Sequence, residues 1–309
     1  MNTAEKRNLA IGLGFISPWI VGFLVLCVYP VVCAAWYSLC DYSALSPALF
    51  TGGQNYIELA RDGIFWKALY NTVFFAALAI PAGLLASLFL ALLLSFNLPG
   101  RAFFRAVFFL PSLVPMISLA VLWQWMLNGE LGLVNTLLRP VLYLINHLSG
   151  LELAAPNWLL DARYAKCGLV FTSLWGAGSA MVIYLAAFQD VPRQYYESAE
   201  LDGAGFWRKT WHISLPLISP VIYFNTIMAL IGSIQVFAVP YVMTKGGDGP
   251  ERSLLFVSTY LFQNAFNYSN MGYACAIGLV LFAFTLLLSL LAMKLARRHV
   301  YYTDRTNVE

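Results

Sequence analysis

The 309-residue chain is 60% hydrophobic and 11% charged, less than half the roughly 25% charge that coats a soluble domain. That deficit makes lipid the solvent for much of the chain, and about six membrane spans with modest loops account for its length. A net charge of +3 excludes a strongly basic nucleic-acid binder.

In chain order, six apolar stretches are long enough to cross about 30 Å of hydrocarbon at 1.5 Å per residue. They run over 9–39, 70–96, 106–127, 167–189, 213–240 and 271–293. The first follows Lys6 and Arg7 but is too long for a secretory signal, and it lacks a small-x-small site followed by polar sequence, so it reads as a retained span. Backbone in lipid must satisfy its own hydrogen bonds, so each stretch is expected to be a helix, with Pro30, Pro81, Pro111, Pro115 and Pro220 as bends. Alternating ten-residue segments of the β-barrel kind are absent from the sequence. The expectation is an all-α integral membrane protein, one transmembrane domain over 1–309, with a cytoplasmic helical loop at 190–212.

Orientation follows from the basic residues. With the N-terminus inside, the inner segments hold Lys6, Arg7, Arg101, Arg105, Arg193, Arg208, Lys209, Lys294, Arg297, Arg298 and Arg305. The longer outer loops hold Arg61, Lys67, Arg139, Arg163, Lys166, Lys245 and Arg252. The inside is denser in positive charge, which places both termini in the cytoplasm. In the large outer loop, 128–166, Tyr143, His147 and Trp158 fit an aromatic belt at headgroup depth better than an external contact. Cys27, Cys33, Cys40, Cys167 and Cys275 have no metal-ligand or C-x-x-C spacing and read as packing residues.

None of the six stretches contains Asp, Glu, Lys, Arg or His. Transporters coupled to protons or ions bury such groups, and voltage sensors bury arginines, so both classes are disfavoured. His147, His212 and His299 lie in loops or tails, and no catalytic or metal constellation can be assembled. The sequence also lacks a G-x-x-x-x-G-K-[ST] phosphate loop, since Gly246 through Pro250 is a turn without the lysine. The expectation is a non-enzyme that binds no cofactor and draws its energy from a partner. The polar residues within the spans are neutral: Ser112, Ser118, Gln124, Thr172, Ser173, Ser179, Asn225, Thr226, Ser233 and Gln235. Singly they read as packing groups, but as a lining they suit a neutral, hydroxyl-rich solute better than an ion.

The segment from Asp190 to His212 reads as two short helices around a tight turn. Pro192 is expected at the first helical position, with the helix ending near Leu201. Gly203 permits a positive φ or a close partner backbone, and Gly205 repeats that permissive chemistry. Phe206, Trp207 and Trp211 beside Arg208 and Lys209 form an aromatic and basic surface. Two readings stay open on these residues alone: a docking knob, and an amphipathic loop lying on headgroups.

The spacing of Glu197-Ser198-Ala199, three residues, Gly203, nine residues, then Ile213-x-Leu215-Pro216 resembles the EAA signature of bacterial ATP-binding-cassette importer permeases. Ser198 in place of the usual Ala is a small-for-small departure. Leu201-Asp202-Gly203-Ala204 with Trp207 resembles the loop of sugar permeases. Gly100-Arg101, Phe104-Arg105 and Phe108 through Pro111, then Gly132 through Asn135, and Gly246 through Pro250 are similar to the maltose- and glycerol-phosphate-type first permease subunit.

The resemblance implies a type I importer permease fold in a bacterial inner membrane. It implies a heterodimer with a second, related permease, two copies of a cytoplasmic ATPase that carries the ATP and Mg, and an external solute-binding protein. Glu197, Ser198, Ala199, Asp202, Gly203, Ala204, Ile213, Leu215 and Pro216 would then form the ATPase-coupling surface, with Glu197 meeting a basic group. The family's sugar contacts map onto Trp175, Gly176 and Ser179 before the loop and Ala229, Gly232 and Ser233 after it. Alternatives are a permease for an amino acid, phosphate or polyamine, and a receptor or scaffold that transports nothing.

Overall fold

The computed structural model describes residues 3–43, 45–96, 99–150 and 152–296. Arg297, Arg298 and Arg305, assigned above to the inner C-terminal segment, lie outside them, as do the side chains of Lys6 and Arg7. The described chain is mainly helical. Four helices are long and apolar enough to cross a membrane: Ile11–Tyr37, Gly63–Ser95, Ser219–Met243 and Met271–Ala296. Two bent pairs, Arg101–Leu113 with Met116–Met126 and Ala162–Leu174 with Ala177–Gln189, bring the number to six if each pair is one span.

In chain order the helices are α1 (Thr3–Phe23), α2 (Tyr29–Tyr37), α3 (Gln54–Arg61), α4 (Gly63–Ser95), α5 (Arg101–Phe109), α6 (Met116–Met126), α7 (Leu133–Ser149) and α8 (Ala162–Leu174). Then follow α9 (Ala177–Gln189), α10 (Arg193–Leu201), α11 (Phe206–Lys209), α12 (Leu215–Leu217), α13 (Ser219–Ile234), α14 (Ala238–Met243), α15 (Val257–Phe262) and α16 (Met271–Ala296). To this helical plan the structure adds one hairpin, β1 (Cys40–Ser43) with β2 (Ser46–Phe50), antiparallel with Cys40 opposite Phe50.

Four expected spans differ in detail. The stretch 70–96 starts earlier, at Gly63. The stretch 106–127 is not one bent helix but two helices meeting at 99°. Val114 precedes Pro115 and is pushed into extended backbone (ψ 129), so the helix stops after Leu113 and restarts at Met116. The stretch 167–189 starts earlier, at Ala162, and bends by 46° at Trp175-Gly176. The stretch 213–240 starts its straight span only at Ser219, because a π-helical turn over Thr210–Ser214 and the short α12 come first. It extends to Met243.

The chain divides into two compact units, Met1–Gly63 with Tyr260–Ala283 and Ile64–Thr259 with Phe284–Glu309. In the first, the α1–α2 span exposes large apolar side chains such as Phe15 and Leu26, as a lipid-facing surface requires. Next to it, the buried Asn55 amide donates to Ser38 O (2.8 Å) and Cys40 O (2.9 Å), fixing α3 against the hairpin.

Among the described residues, two apolar clusters lie within the second unit. Phe75, Trp123, Leu127, Leu169 and Phe256 centre one, and Leu94, Met181, Tyr184 and Leu185 the other. Polar residues in the spans are used mainly within the fold. Ser112, Thr172, Ser173, Asn225, Thr226 and Ser233 each bond a carbonyl three or four residues back. Gln124 instead crosses from α6 to Met243 O of α14 (3.2 Å).

Candidate functional site

The loop after α9 is built by its capping chemistry. Asp190 closes α9, and Val191 is buried. Pro192 stands one position earlier than expected: it is the extended N-cap residue (ψ 132), and Arg193 begins α10. The helix ends where expected, at Leu201. Ala204 N–H donates to Ala199 O (2.8 Å) and Gly203 N–H to Glu200 O (3.0 Å). These two bonds form a Schellman motif, which puts its fifth residue in the left-handed region. Gly203 occupies that position with φ +73. Gly205, by contrast, has extended backbone (φ −70, ψ 171) and serves as N-cap of α11, so its expected permissive role is not used.

The two arms of the turn are tied side to side. Lys209 Nζ donates to Glu200 Oε1 at 2.7 Å, an exposed ion pair of a kind that contributes about 0–1 kcal/mol. Tyr196 OH and Ser214 Oγ lie 2.9 Å apart, joining α10 to the π-helical turn. The Phe206 ring packs on Phe96 at the end of α4, with centroids 4.8 Å apart. Phe206 is thus an anchor, whereas Leu201, Trp207 and Trp211 are 90%, 74% and 70% exposed and carry the outward apolar surface.

Of the residues assigned from sequence, Glu197, Ser198, Asp202, Gly203 and Pro216 are exposed, while Ala199, Ala204, Ile213 and Leu215 are half-buried. Ala199, Asp202, Ala204 and Ile213 come together with Arg208, Lys209 and His212 around a cavity of about 360 Å³. Tyr196, Glu200 and Phe96 are participants that sequence reasoning missed. The Glu200–Lys209 spacing matches no helical period, so only the turn geometry brings the pair together.

The second candidate set lies at the α8–α9 bend and on α13. Trp175 ends α8 at the bend and sits edge-on to Trp123, centroids 5.4 Å apart, lining an apolar cavity of about 590 Å³. Gly176 is the N-cap of α9, and Ser179 is exposed in its first turn. On α13, Gly232 is exposed, and the Ser233 hydroxyl donates to Ala229 O (2.7 Å).

Other residues do converge. The fully buried Asn71 of α4 donates to Arg252 O (2.8 Å) and Leu255 O (2.9 Å) and accepts from Lys166 Nζ (3.1 Å). Lys166 also lies over the Tyr70 and Phe74 rings, 4.7 and 4.6 Å from their centroids. Thr72 accepts Val257 N–H at 3.1 Å. Asn135, in the Gly132–Asn135 motif, donates to Gly129 O (2.8 Å) and Pro156 O (2.9 Å) and accepts from Trp158 Nε1 (2.8 Å). Trp158 is therefore half-buried in a clamp rather than a free belt residue.

Comparison with known proteins places this geometry in context. The profile described as "Binding-protein-dependent transport system inner membrane component" matches residues 66–300. The probable ABC transporter permease protein YesP of Bacillus subtilis is 33% identical over 303 residues, covering 97% of this chain and 94% of the relative. The lactose transport system permease protein LacF of Rhizobium radiobacter is 32% identical, covering 92% and 93%. The trehalose/maltose transport system permease protein MalF of Thermococcus litoralis is 30% identical, covering 95% and 96%. A solved bacterial alginate ABC transporter, in complex with an alginate-bound periplasmic protein, contains a chain that matches with TM-score 0.77 over 95% of this chain and 96% of that one, at 21% identity, a likeness of fold. The chain belongs to the binding-protein-dependent transport system inner membrane component family.

Proposed function

We propose that this chain is one permease subunit of an ATP-driven importer that takes a sugar or sugar-like solute from an external binding protein. The observation that carries the reading is the 190–212 loop: a rigid Schellman turn, anchored through Phe206, that presents Glu197, Leu201 and Trp207 outward. Its spacing matches the coupling signature, and an exposed apolar and charged knob of this kind fits docking into a partner groove. Glu197 meets a basic group of the cytoplasmic ATPase, and Gly203 lets the partner's backbone approach. ATP and Mg belong to two copies of that ATPase, and a second, related permease completes the membrane part.

The solute class rests on two further supports. The relatives named for lactose and for trehalose and maltose span nearly their whole length with this chain. The apolar stretches hold no ionised side chain with which to bind a charged solute. Proteoliposomes carrying the assembled importer and its binding protein should accumulate a neutral sugar only when ATP is hydrolysed. Uptake confined to an amino acid, phosphate or polyamine, or no ATP-dependent uptake of any sugar, would overturn the reading.

A further inference from the structure

A polar hollow of about 480 Å³ lies wholly within the unit formed by Met1–Gly63 and Tyr260–Ala283. Segments far apart in sequence wall it: Asp41 and Tyr42 from the hairpin, Gln54 and Glu58 from α3, Asp62 at the α3–α4 junction, and Asn270 before α16. The Tyr260 and Tyr273 hydroxyls both donate to Asp62 Oδ2, at 2.6 and 2.7 Å. Burial, and then the Asp62 hydrogen bond, hold the Tyr260 phenol above its ordinary pKa, so it stays a donor. Asn264 braces the same wall, donating to Tyr260 O and accepting Asn270 N–H, both at 2.8 Å. The walls are thus fixed by internal bonds, while Asp41, Glu58 and Asn270 remain exposed.

The lining chemistry selects a class of ligand. Its amides both donate and accept, and its carboxylates accept, so together they match the hydroxyls of a polyol. The Tyr42, Tyr260 and Tyr273 rings add aromatic surface, and a pocket that mixes such faces with a few fixed polar groups is the usual form of a small-molecule site. Among the described residues no Lys, Arg or His lines the hollow, which leaves an anion without a cationic partner there. Among the described residues no group of three His, Cys, Asp or Glu side chains is placed to hold a metal ion. The Asp62 charge already receives two phenol hydrogen bonds, and Glu58 accepts from the Gln54 amide at 3.1 Å, which lessens the pull on a free cation.

We infer that this hollow binds a neutral, hydroxyl-rich solute, a sugar subsite within the unit that carries the hairpin and built from other residues than those of the helices that flank the coupling loop. With the N-terminus inside, it faces the exterior and takes the solute as it leaves the binding protein. The inference rests on the sugar-importer reading and adds a site to it.

The test uses the complete importer in lipid nanodiscs without its binding protein. Lactose, trehalose, arginine and galacturonate are titrated separately while saturation-transfer NMR reports contact with each probe. The expected result is saturable transfer to lactose or trehalose, with Glu58→Gln and Asn270→Ala each raising the apparent Kd about tenfold. Both positions are exposed, so the substitutions leave the apolar packing intact. Transfer to neither sugar, transfer to arginine or galacturonate alone, or sugar binding indifferent to both substitutions would overturn the site. ATP-driven uptake by the same assembly separates the two claims: sugar uptake without this binding removes the hollow and leaves the importer reading standing. Loss of all sugar uptake by the unsubstituted assembly removes that reading.

Discussion

At Gly203 the backbone turns through φ +73, and among the described residues other than its chain neighbours nothing lies within 4 Å of where a Cβ would stand. Glycine is therefore required by conformation and not by crowding within the fold. A residue with a side chain costs roughly 1–2 kcal/mol in the left-handed region, and Asn or Asp less. That is too little to unfold a helical bundle, but any new side chain projects into space that a docking partner would occupy. Gly203→Asp should insert in the membrane at wild-type abundance while ATP-driven uptake in vesicles falls about a hundredfold, the scale of losing a 2–3 kcal/mol contact at an interface. Transport at the wild-type rate would remove the coupling role. Gly203→Asn, equal in size to Asp and equally tolerant of a positive φ but neutral, separates charge from bulk: recovery would point to the added charge, and continued loss to obstruction.

Residue types told less about polar groups than about turns. Asn71 and Asn135 sit at the edge of apolar sequence, and nothing in their spacing distinguishes a hydrogen-bond clamp from a wet lining. The carbonyls that Asn71 meets, such as Arg252 O, are far away along the chain, so only the folded geometry identifies them. Ser233 illustrates the opposite case. Its hydroxyl is satisfied four residues back on its own helix, the bland outcome expected of a hydroxyl in a span.

At the level of elements, helix type was legible wherever the apolar runs were long, because a chain in lipid has few other ways to satisfy its backbone. The breaks were legible only in part. Pro111 and Pro115 announced a bend, but its 99° angle goes with packing partners remote in sequence, α9 for α5 and α14 for α6. The close approach of α9 to α5 was not legible. A Cβ at Gly178 would stand 2.0 Å from Phe108 O, so the two backbones meet where only glycine fits, in the manner of small residues at membrane helix contacts. Gly178→Ala should destabilise the protein by about 1–3 kcal/mol through overpacking. In detergent this lowers the midpoint of thermal unfolding, whereas Gly232→Ala, with nothing within 4 Å of its Cβ, should leave it nearly unchanged. Equal melting of the two variants would contradict the contact.

For the whole molecule, the sequence property with most consequence is the uneven distribution of basic residues between alternate loops. Arg101, Arg105, Arg193, Arg208 and Lys209 fall on one side of the predicted topology, and Arg61, Lys67, Arg139 and Arg163 are spread over longer loops on the other. The rule that the richer side stays in the cytoplasm puts the coupling loop where an ATPase can reach it and the hairpin outside. Both the proposed drive and the polar hollow need that orientation, so it is open to a direct check. After replacement of Cys27, Cys33, Cys40, Cys167 and Cys275, single cysteines can be placed at Leu45 and Leu131, 92% and 89% exposed, and at exposed Gln194 in α10. A membrane-impermeant maleimide added to intact spheroplasts should label Leu45→Cys and Leu131→Cys within minutes, and Gln194→Cys only after permeabilisation. The reverse pattern would put the loop outside, beyond any cytoplasmic ATPase, and would remove the proposed drive and the external hollow together.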